Sequence, residues 1–326
     1  MDWTIFAPVL ARMPRAEPKA PGGRPADPPL LLRKILVRQS RYGLRDAQAQ
    51  LQILDRRRFA QFLGRTQADA VPEQNPIREF REKLPRAELC NELFGAFNTR
   101  LTEQGFSTRQ GQLVDASFVA APRPRNGREE KAAITAGAVP AGWEQEPQRL
   151  AHKDLDARWT KQHAQTHYGY KDHLVADLTS KLSVRAVVPA ASEHDRQAVD
   201  SLPRAGDPEI WADSASTGAP CAALFAAKGS TAQVCAQGTR GHALTQGQKR
   251  ANRAKSRQRA RVEPIFGFMT GRLRAMYQRV VGYARNRACI RLANLGYNMA
   301  RTAQLIRRQL WGRKTPQLVE VSKMGK

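Results

Sequence analysis

Three acidic residues stand where a carboxylate is costly or out of place, and their order along the chain suits work on a phosphodiester. Asp115 interrupts an alternating run, with Leu113, Asp115, Ser117 and Val119 on one face and Val114, Ala116, Phe118 and Ala120 on the other. Such a carboxylate is expensive to bury unless it is paired or binds a cation. Asp213 closes the short apolar run Glu209-Ile210-Trp211-Ala212. Glu263 is the only acid between Asp213 and Glu320, and the stretch 249–308 around it holds sixteen Lys and Arg. Taken alone, Glu263 reads first as a solvated helix residue pairing with Arg259, a contact worth roughly a few tenths of a kcal/mol. Taken together, the three form an all-oxygen donor set of the kind hard cations such as Mg²⁺ prefer. Two such ions clamp the attacking and leaving oxygens of an in-line phosphoryl displacement. Asp115 would then bridge the two ions, Asp213 would hold one and Glu263 the other.

The elements that must position these acids follow from periodicity. The alternation predicts strands over 113–120, 167–177, 182–189, 209–213 and 232–236, the second and third joined by a turn at Thr179-Ser180-Lys181. Residues 121–166 read as a polar insertion of loops and short helices. Ser192-Glu193-His194-Asp195 resembles a capping box opening a helix to residue 202, and 218–227 reads as a further helix. A basic helix begins near Lys249 and carries Val262, Phe266, Met269 and Leu273 on one face, with Pro264 predicting a kink or helix start beside Glu263. The last helical region, 285–310, presents Ile290, Leu292, Leu295, Met299 and Leu305 for packing back on the core, and the chain from residue 312 reads as a frayed tail.

Ahead of these elements the period is helical. Residues 1–12 form a short amphipathic turn, and 14–29, rich in Pro and Gly, form an extended arm. From 30 to 105 several helices joined by short turns make a small bundle, in which Asn75-Pro76 opens a helix bearing Arg78 and Arg81. That helix could enter a DNA groove as part of a helix-turn-helix, or belong to a plain bundle that carries basic residues. The layout divides into an N-terminal helix and arm (1–29), a helical DNA-binding domain (30–105), an α/β core (106–280) and a C-terminal helix and tail (281–326).

Composition narrows the partners. A formal net charge of +25 and a pI near 10.8 make nucleic acid the default polyanion. No stretch approaches the roughly 20 apolar residues of a spanning helix, and the start Met1-Asp2-Trp3 lacks a basic-then-apolar leader layout. The expectation is a soluble, cytoplasmic, nucleoid-associated protein without membrane contact. Cys90, Cys221, Cys235 and Cys289 stand far apart, which argues against a zinc site or a disulfide framework.

Three strands, a helix, a fourth strand ending in an acid and a later helix bearing a third acid follow the order of an RNase H-like core, a mixed five-stranded sheet flanked by helices. Here it carries an all-α N-terminal domain and a C-terminal helical cap. Over almost its whole length the sequence resembles the DDE transposases of bacterial insertion sequences, in the branch named after insertion sequence five. The matching pieces include Arg41-Tyr42-Gly43-Leu44, Phe80-Arg81-Glu82-Lys83-Leu84, Leu113-Val114-Asp115-Ala116-Ser117, Asp156-Ala157-Arg158-Trp159-Thr160, Tyr168-Gly169-Tyr170-Lys171, Trp211-Ala212-Asp213-Ser214-Ala215 and Arg261-Val262-Glu263. The resemblance implies that Asp115, Asp213 and Glu263 are the metal-binding triad, with Arg259 in the basic position preceding the Glu. It also implies two Mg²⁺ ions, for which Mn²⁺ can substitute, and double-stranded transposon ends and target as substrate. A homodimer in a synaptic complex is the expected assembly. The branch often places a Tyr seven residues before the Glu and a Lys seven after it, where this chain has Ser256 and Thr270; Arg272 or Arg274 could substitute on or near that face.

Other residues carry weaker signals. Lys171, between Tyr168 and Tyr170, could contact phosphate beside stacked bases, or lie on an ordinary half-buried strand. His163, His167 and His173 lack partners at zinc-ligand spacing. The rival from another class is a non-catalytic DNA-binding protein descended from such an enzyme.

Overall fold

The computed structural model describes residues 2–14, 25–66, 68–107, 111–162, 164–193, 207–212, 225–227, 229–236, 238 and 243–312. The predicted helix over 194–202, most of that over 218–227, most of the 14–29 arm and the tail lie outside these residues.

The N-terminal part is helical, as its periodicity predicts. A 3₁₀ turn (Thr4–Phe6) runs into α1 (Ala7–Leu10), followed by α2 (Pro29–Tyr42), α3 (Asp46–Asp55), α4 (Arg57–Leu63), α5 (Gln74–Arg86) and α6 (Leu89–Glu103). Pro29 suits the first turn of α2, where its missing N–H costs nothing. Gly43 ends α2 at φ +63°, returning its N–H to the Gln39 carbonyl. Apolar residues three and four apart, such as Leu31, Ile35, Ile77, Phe80, Leu84, Leu93 and Phe97, meet in one core that also takes Phe6 and Leu10. Asp46 joins α3 to α5: its two carboxylate oxygens accept from the two terminal nitrogens of Arg81, one at 2.8 Å, and Gln39 donates to it at 2.7 Å. Burial alone would raise the Asp46 pKa, but the Arg81 and Gln39 hydrogen bonds outweigh it and hold the carboxyl below its usual range.

The sheet comprises β1 (Gln112–Ala120), β2 (Arg158–Gln162), β3 (Gln165–Asp177), β4 (Ser183–Val187), β5 (Glu209–Ala212) and β6 (Thr231–Val234). Its order is β2-β3-β1-β5-β6, with β4 also paired to β3. β1 and β3 run antiparallel along the whole of β1, whereas β5 is parallel to β1 and β6 to β5. The sheet therefore has six strands among the described residues, against the five expected. The extra one is β2, inside the polar insertion, which otherwise holds α7 (Arg128–Thr135), a 3₁₀ turn and α8 (Pro147–Ala151). Arg158-Trp159-Thr160-Lys161-Gln162 has no apolar alternation, because this edge strand is half-exposed and exists through its pairing with β3. β2 pairs β3 up to Gly169 and β4 pairs it from His173 onward. Gly169 has φ +142°, and a Cβ there would lie 2.3 Å from the Val119 carbonyl oxygen and 2.8 Å from the Ala121 nitrogen. Only glycine fits that close approach of two strands.

The C-terminal part consists of α9 (Gln246–Arg259), a 3₁₀ turn (Ala260–Val262), α10 (Glu263–Gly271) and α11 (Tyr283–Gly312). The proline signal is realised as a helix start: Pro264 occupies the first turn of α10, and the 3₁₀ turn separates it from α9. Glu263 nonetheless keeps helical dihedrals, φ −53° and ψ −41°. α11 holds the two halves of the molecule together. Its Ala288 and Leu295 belong to the helical core, while Ala293 and Tyr297 pack with Leu113 and Leu174 of the sheet. A buried polar chain runs alongside: Asn98 donates to the Ser183 carbonyl and Asn298 to Asn98, while the Ser183 hydroxyl bonds Asn294 and Asn294 donates to Asp172.

Candidate active site

Leu113 is the point on which β1, β5 and the start of α10 meet. It is fully buried against Val262, Ile265 and Met269. Asp115, two residues on, projects from the same face of β1, because side chains alternate along a strand; its register partner Leu174 belongs to that same cluster. Glu263 follows Val262 directly and opens α10, so the packing that seats Val262 on Leu113 brings the start of α10 to β1. Leu113 also pairs in parallel with Trp211, two residues before Asp213. Asp213 itself lies outside the described residues.

Toward β5, the pairing of β1 among the described residues is at Gln112 and Leu113. The next backbone partner on that side among the described residues is the segment 276–278: Ala120 donates to the Met276 carbonyl at 2.9 Å and accepts from the Gln278 nitrogen at 2.8 Å. Between these two anchors the edge of β1 passes the carboxyl end of β5, the place where parallel α/β sheets hold ligands. A cleft of about 330 Å³ lies farther along, lined by Ser117, Phe118, Ala120, His167, Thr270 and Met276 among others.

Each side chain here has a distinct environment. Asp115 is half-buried. Glu263 is exposed, and the expected ion pair with Arg259 is not formed; Glu263 has no hydrogen-bond or ion-pair partner among the described residues. An exposed carboxylate at the head of a helix that packs on the strand bearing a second carboxylate matches a hard divalent cation in donor type. Among the described residues, which exclude Asp213, no group of three or more His, Cys, Asp and Glu is gathered closely enough to hold a metal.

The basic candidates fall into two groups. Arg78 on α5 and Arg272 and Arg274 beyond α10 are exposed, whereas Arg259, the last residue of α9, is half-buried. Arg274 stands past the end of α10 at φ +52°, so it does not continue a helical flank with Glu263 and Thr270. Arg81 is engaged by Asp46. Lys171 is buried, donates to the Glu193 carbonyl at 2.7 Å and sits 5.5 Å from the Phe118 ring centroid. Its neighbours Tyr168 and Tyr170 lie in the core with Val119 and Ile290, which removes them as base-stacking surfaces. Ser256 approaches Cys235 at 3.7 Å, and the Thr270 hydroxyl donates to the Phe266 carbonyl of its own helix.

Several structural residues carried no clear sequence signal. Asp154 is buried; one of its oxygens accepts from the Ala157 nitrogen and the Tyr170 hydroxyl, and the other accepts from the Gly282 nitrogen, tying the insertion to β3 and the start of α11. Asp172 is fully buried on β3, and burial pushes its pKa up to about 6 against the opposing effects of the Asn294 hydrogen bond and the Arg291 charge. Burial likewise raises the Cys90 thiol to about 12 and the Cys289 thiol to about 11.

A six-stranded mixed sheet among the described residues, packed by helices, makes this an α/β protein. The family described as "Transposase DDE domain" matches residues 106–299, and the chain belongs to it. Residues 1–83 match a second family, "Transposase domain (DUF772)". The protein is thus a transposase, of a family whose members are nucleases and strand transferases that generally use divalent metal ions and act on DNA. No solved structure matches the chain. No helix among the described residues is long and apolar enough to cross a membrane.

Proposed function

We propose that this chain is the transposase of a bacterial insertion sequence of the branch named after insertion sequence five. It binds the element's terminal inverted repeats, as a homodimer in the synaptic complex, and catalyses phosphodiester cleavage and strand transfer in an RNase H-like core. The proposed layout is the N-terminal helix and arm (1–29), the helical DNA-binding domain (30–105), the catalytic core (106–280) and the C-terminal helix and tail (281–326). The observation that carries the reading is the convergence on Leu113 of the strand bearing Asp115, the strand preceding Asp213 and the helix headed by Glu263.

Asp115, Asp213 and Glu263 would hold two Mg²⁺ ions, with Mn²⁺ able to replace them. Bound there, the ions supply Lewis acidity and charge stabilisation for in-line displacement at phosphorus. The chain's own residues do the rest. A backbone phosphate would meet Asp115 on β1 beyond the carboxyl end of β5, with Arg259, Arg272, Arg274 and Lys171 supplying positive charge. Arg78 and Arg81 serve DNA binding on α5, Arg81 while held by Asp46.

Incubating the protein with end-containing DNA and Mg²⁺ or Mn²⁺ tests this. Cleavage and joining are expected from the wild type, and Asp115→Ala or Glu263→Gln should remove at least a hundredfold of the rate while DNA binding persists. Cleavage unchanged by Asp115→Ala would sink the catalytic reading. The second reading, a non-catalytic descendant that binds DNA, rests on Ser256 and Thr270, whose hydroxyls face Cys235 and the Phe266 carbonyl. It predicts binding without cleavage in the same assay.

A further inference from the structure

We infer that Tyr277 is a stacking platform for an unpaired DNA base beside the catalytic strand, an inference that rests on the proposed action on DNA. Tyr277 is 55% exposed. Among the described residues its ring meets no other aromatic ring or cation, and its hydroxyl has no partner.

An exposed aromatic on a loose loop would mean little, but this one is rigidly mounted. Its two neighbours hold β1 from either side: Met276 accepts from the Ala120 nitrogen and the Gln278 nitrogen donates to the Ala120 carbonyl. Met276 is packed into the core clusters beneath the sheet, and the buried Gln278 side chain donates to the Ala275 carbonyl at 2.6 Å. The backbone of Tyr277 is therefore an extra rung on the strand that carries Asp115. Met276 and Ala120 also line the cleft of about 330 Å³ that follows Asp115 along β1.

The surroundings state what the ring is for. Arg272, Arg274 and Arg279 lie within five residues of it, all exposed and without a carboxylate partner among the described residues. No acid falls between Glu263 and Glu320 to neutralise them. A fixed, exposed aromatic face on a segment rich in exposed arginines is the combination that binds single-stranded nucleic acid, with charge tracking the backbone and the ring taking a base. In duplex DNA the base faces are already stacked, so such a ring gains contact only where a base is unpaired, as at a frayed or nicked end. Trp159, the other large exposed aromatic of the catalytic half, is covered in part by Tyr168 at 4.9 Å and Arg123 at 5.6 Å. Tyr277 has no such cover.

The test compares the full-length wild type with Tyr277→Ala and Tyr277→Phe, using fluorescence anisotropy on a labelled oligo-dT strand and on a labelled duplex of equal length at one fixed salt concentration. Tyr277→Ala should weaken oligo-dT binding by roughly 5- to 150-fold, the range of a single base–aromatic stack. Duplex affinity, set by phosphate contacts, should change by less than about twofold, and Tyr277→Phe should match the wild type on both. Thermal melting of the variants confirms that an exposed side chain was removed without loss of fold. Unchanged oligo-dT binding by Tyr277→Ala overturns the inference, as does equal loss in Tyr277→Phe or equal loss on duplex. Metal-dependent cleavage that persists alongside such a result would leave the transposase reading standing, whereas a wild type that binds neither DNA overturns both.

Discussion

Asp172→Asn should change how stability depends on pH, more than stability at any one pH. The Asp172 carboxyl is fully buried, accepts from Asn294 at 2.9 Å through one oxygen, and has no hydrogen-bond partner on the other. Burial raises its pKa from 3.8 to about 6, a difference of roughly 2 units, or on the order of 3 kcal/mol at 1.36 kcal/mol per unit. The sign follows from proton linkage. The folded state holds a proton that the unfolded chain releases, so this contribution is fully present below about pH 4 and is lost as pH rises through about 6. Asparagine keeps the contact with Asn294 and never ionises. Its amide NH₂ inherits the unpartnered position, at a pH-independent cost of about 1–3 kcal/mol. Urea denaturation of both proteins, at intervals between about pH 4 and pH 7.5, should show the variant gaining on the wild type by roughly 2–3 kcal/mol across that range. A stability difference that stays constant with pH would refute an ionisable buried Asp172.

Gly169→Ala should cost more than about 3 kcal/mol, since its Cβ would fall 2.3 Å from a backbone oxygen of β1 that cannot retreat without breaking the β1–β3 ladder; wild-type melting behaviour in that variant would contradict the geometry. Asp46→Asn should destabilise by about 1–3 kcal/mol at neutral pH by weakening the charge-assisted bonds from Arg81. Because the Asp46 pKa is lowered in the folded state, that contribution is present above the unfolded pKa and disappears as pH falls through the folded value, so the two proteins should converge in acid denaturation. Cys90 and Cys289, with thiols raised by burial, should resist a thiol reagent near pH 8 in the native protein and react fully on unfolding, as mass spectrometry of the labelled peptides would show.

The parts of this fold that were legible in the sequence are those where burial imposes a period. β1, β3 and β4 follow from alternation because one or both faces are covered, and α11 follows from its apolar spacing because it packs along its length. β2 was illegible for the converse reason: an edge strand whose side chains face water has no period to read, and only the partner strand reveals it. Asp172 and Asp154 were missed because a buried, hydrogen-bonded carboxylate looks like any polar residue until its neighbours are known. The lone Glu263 misled in the other direction. An i,i+4 pair with Arg259 assumes one continuous helix, and the 3₁₀ turn between α9 and α10 places the two residues on separate elements.

That break in the helix bears on the site itself. Had α9 run straight through residue 263, the orientation of Glu263 would depend on a basic helix with no buried residue of its own. The 3₁₀ turn instead buries Val262, and α10 then buries Ile265 and Met269 against Leu113, so the carboxylate is indexed to the sheet core rather than to α9. Pro264 is compatible with this because a proline in the first turn of a helix forfeits no hydrogen bond. The residue that looked like an obstacle to a helical glutamate therefore marks the joint at which the chain transfers Glu263 from a solvated helix to the packing of β1, and α11, covering the same cluster through Ala293 and Tyr297, holds that joint against β1.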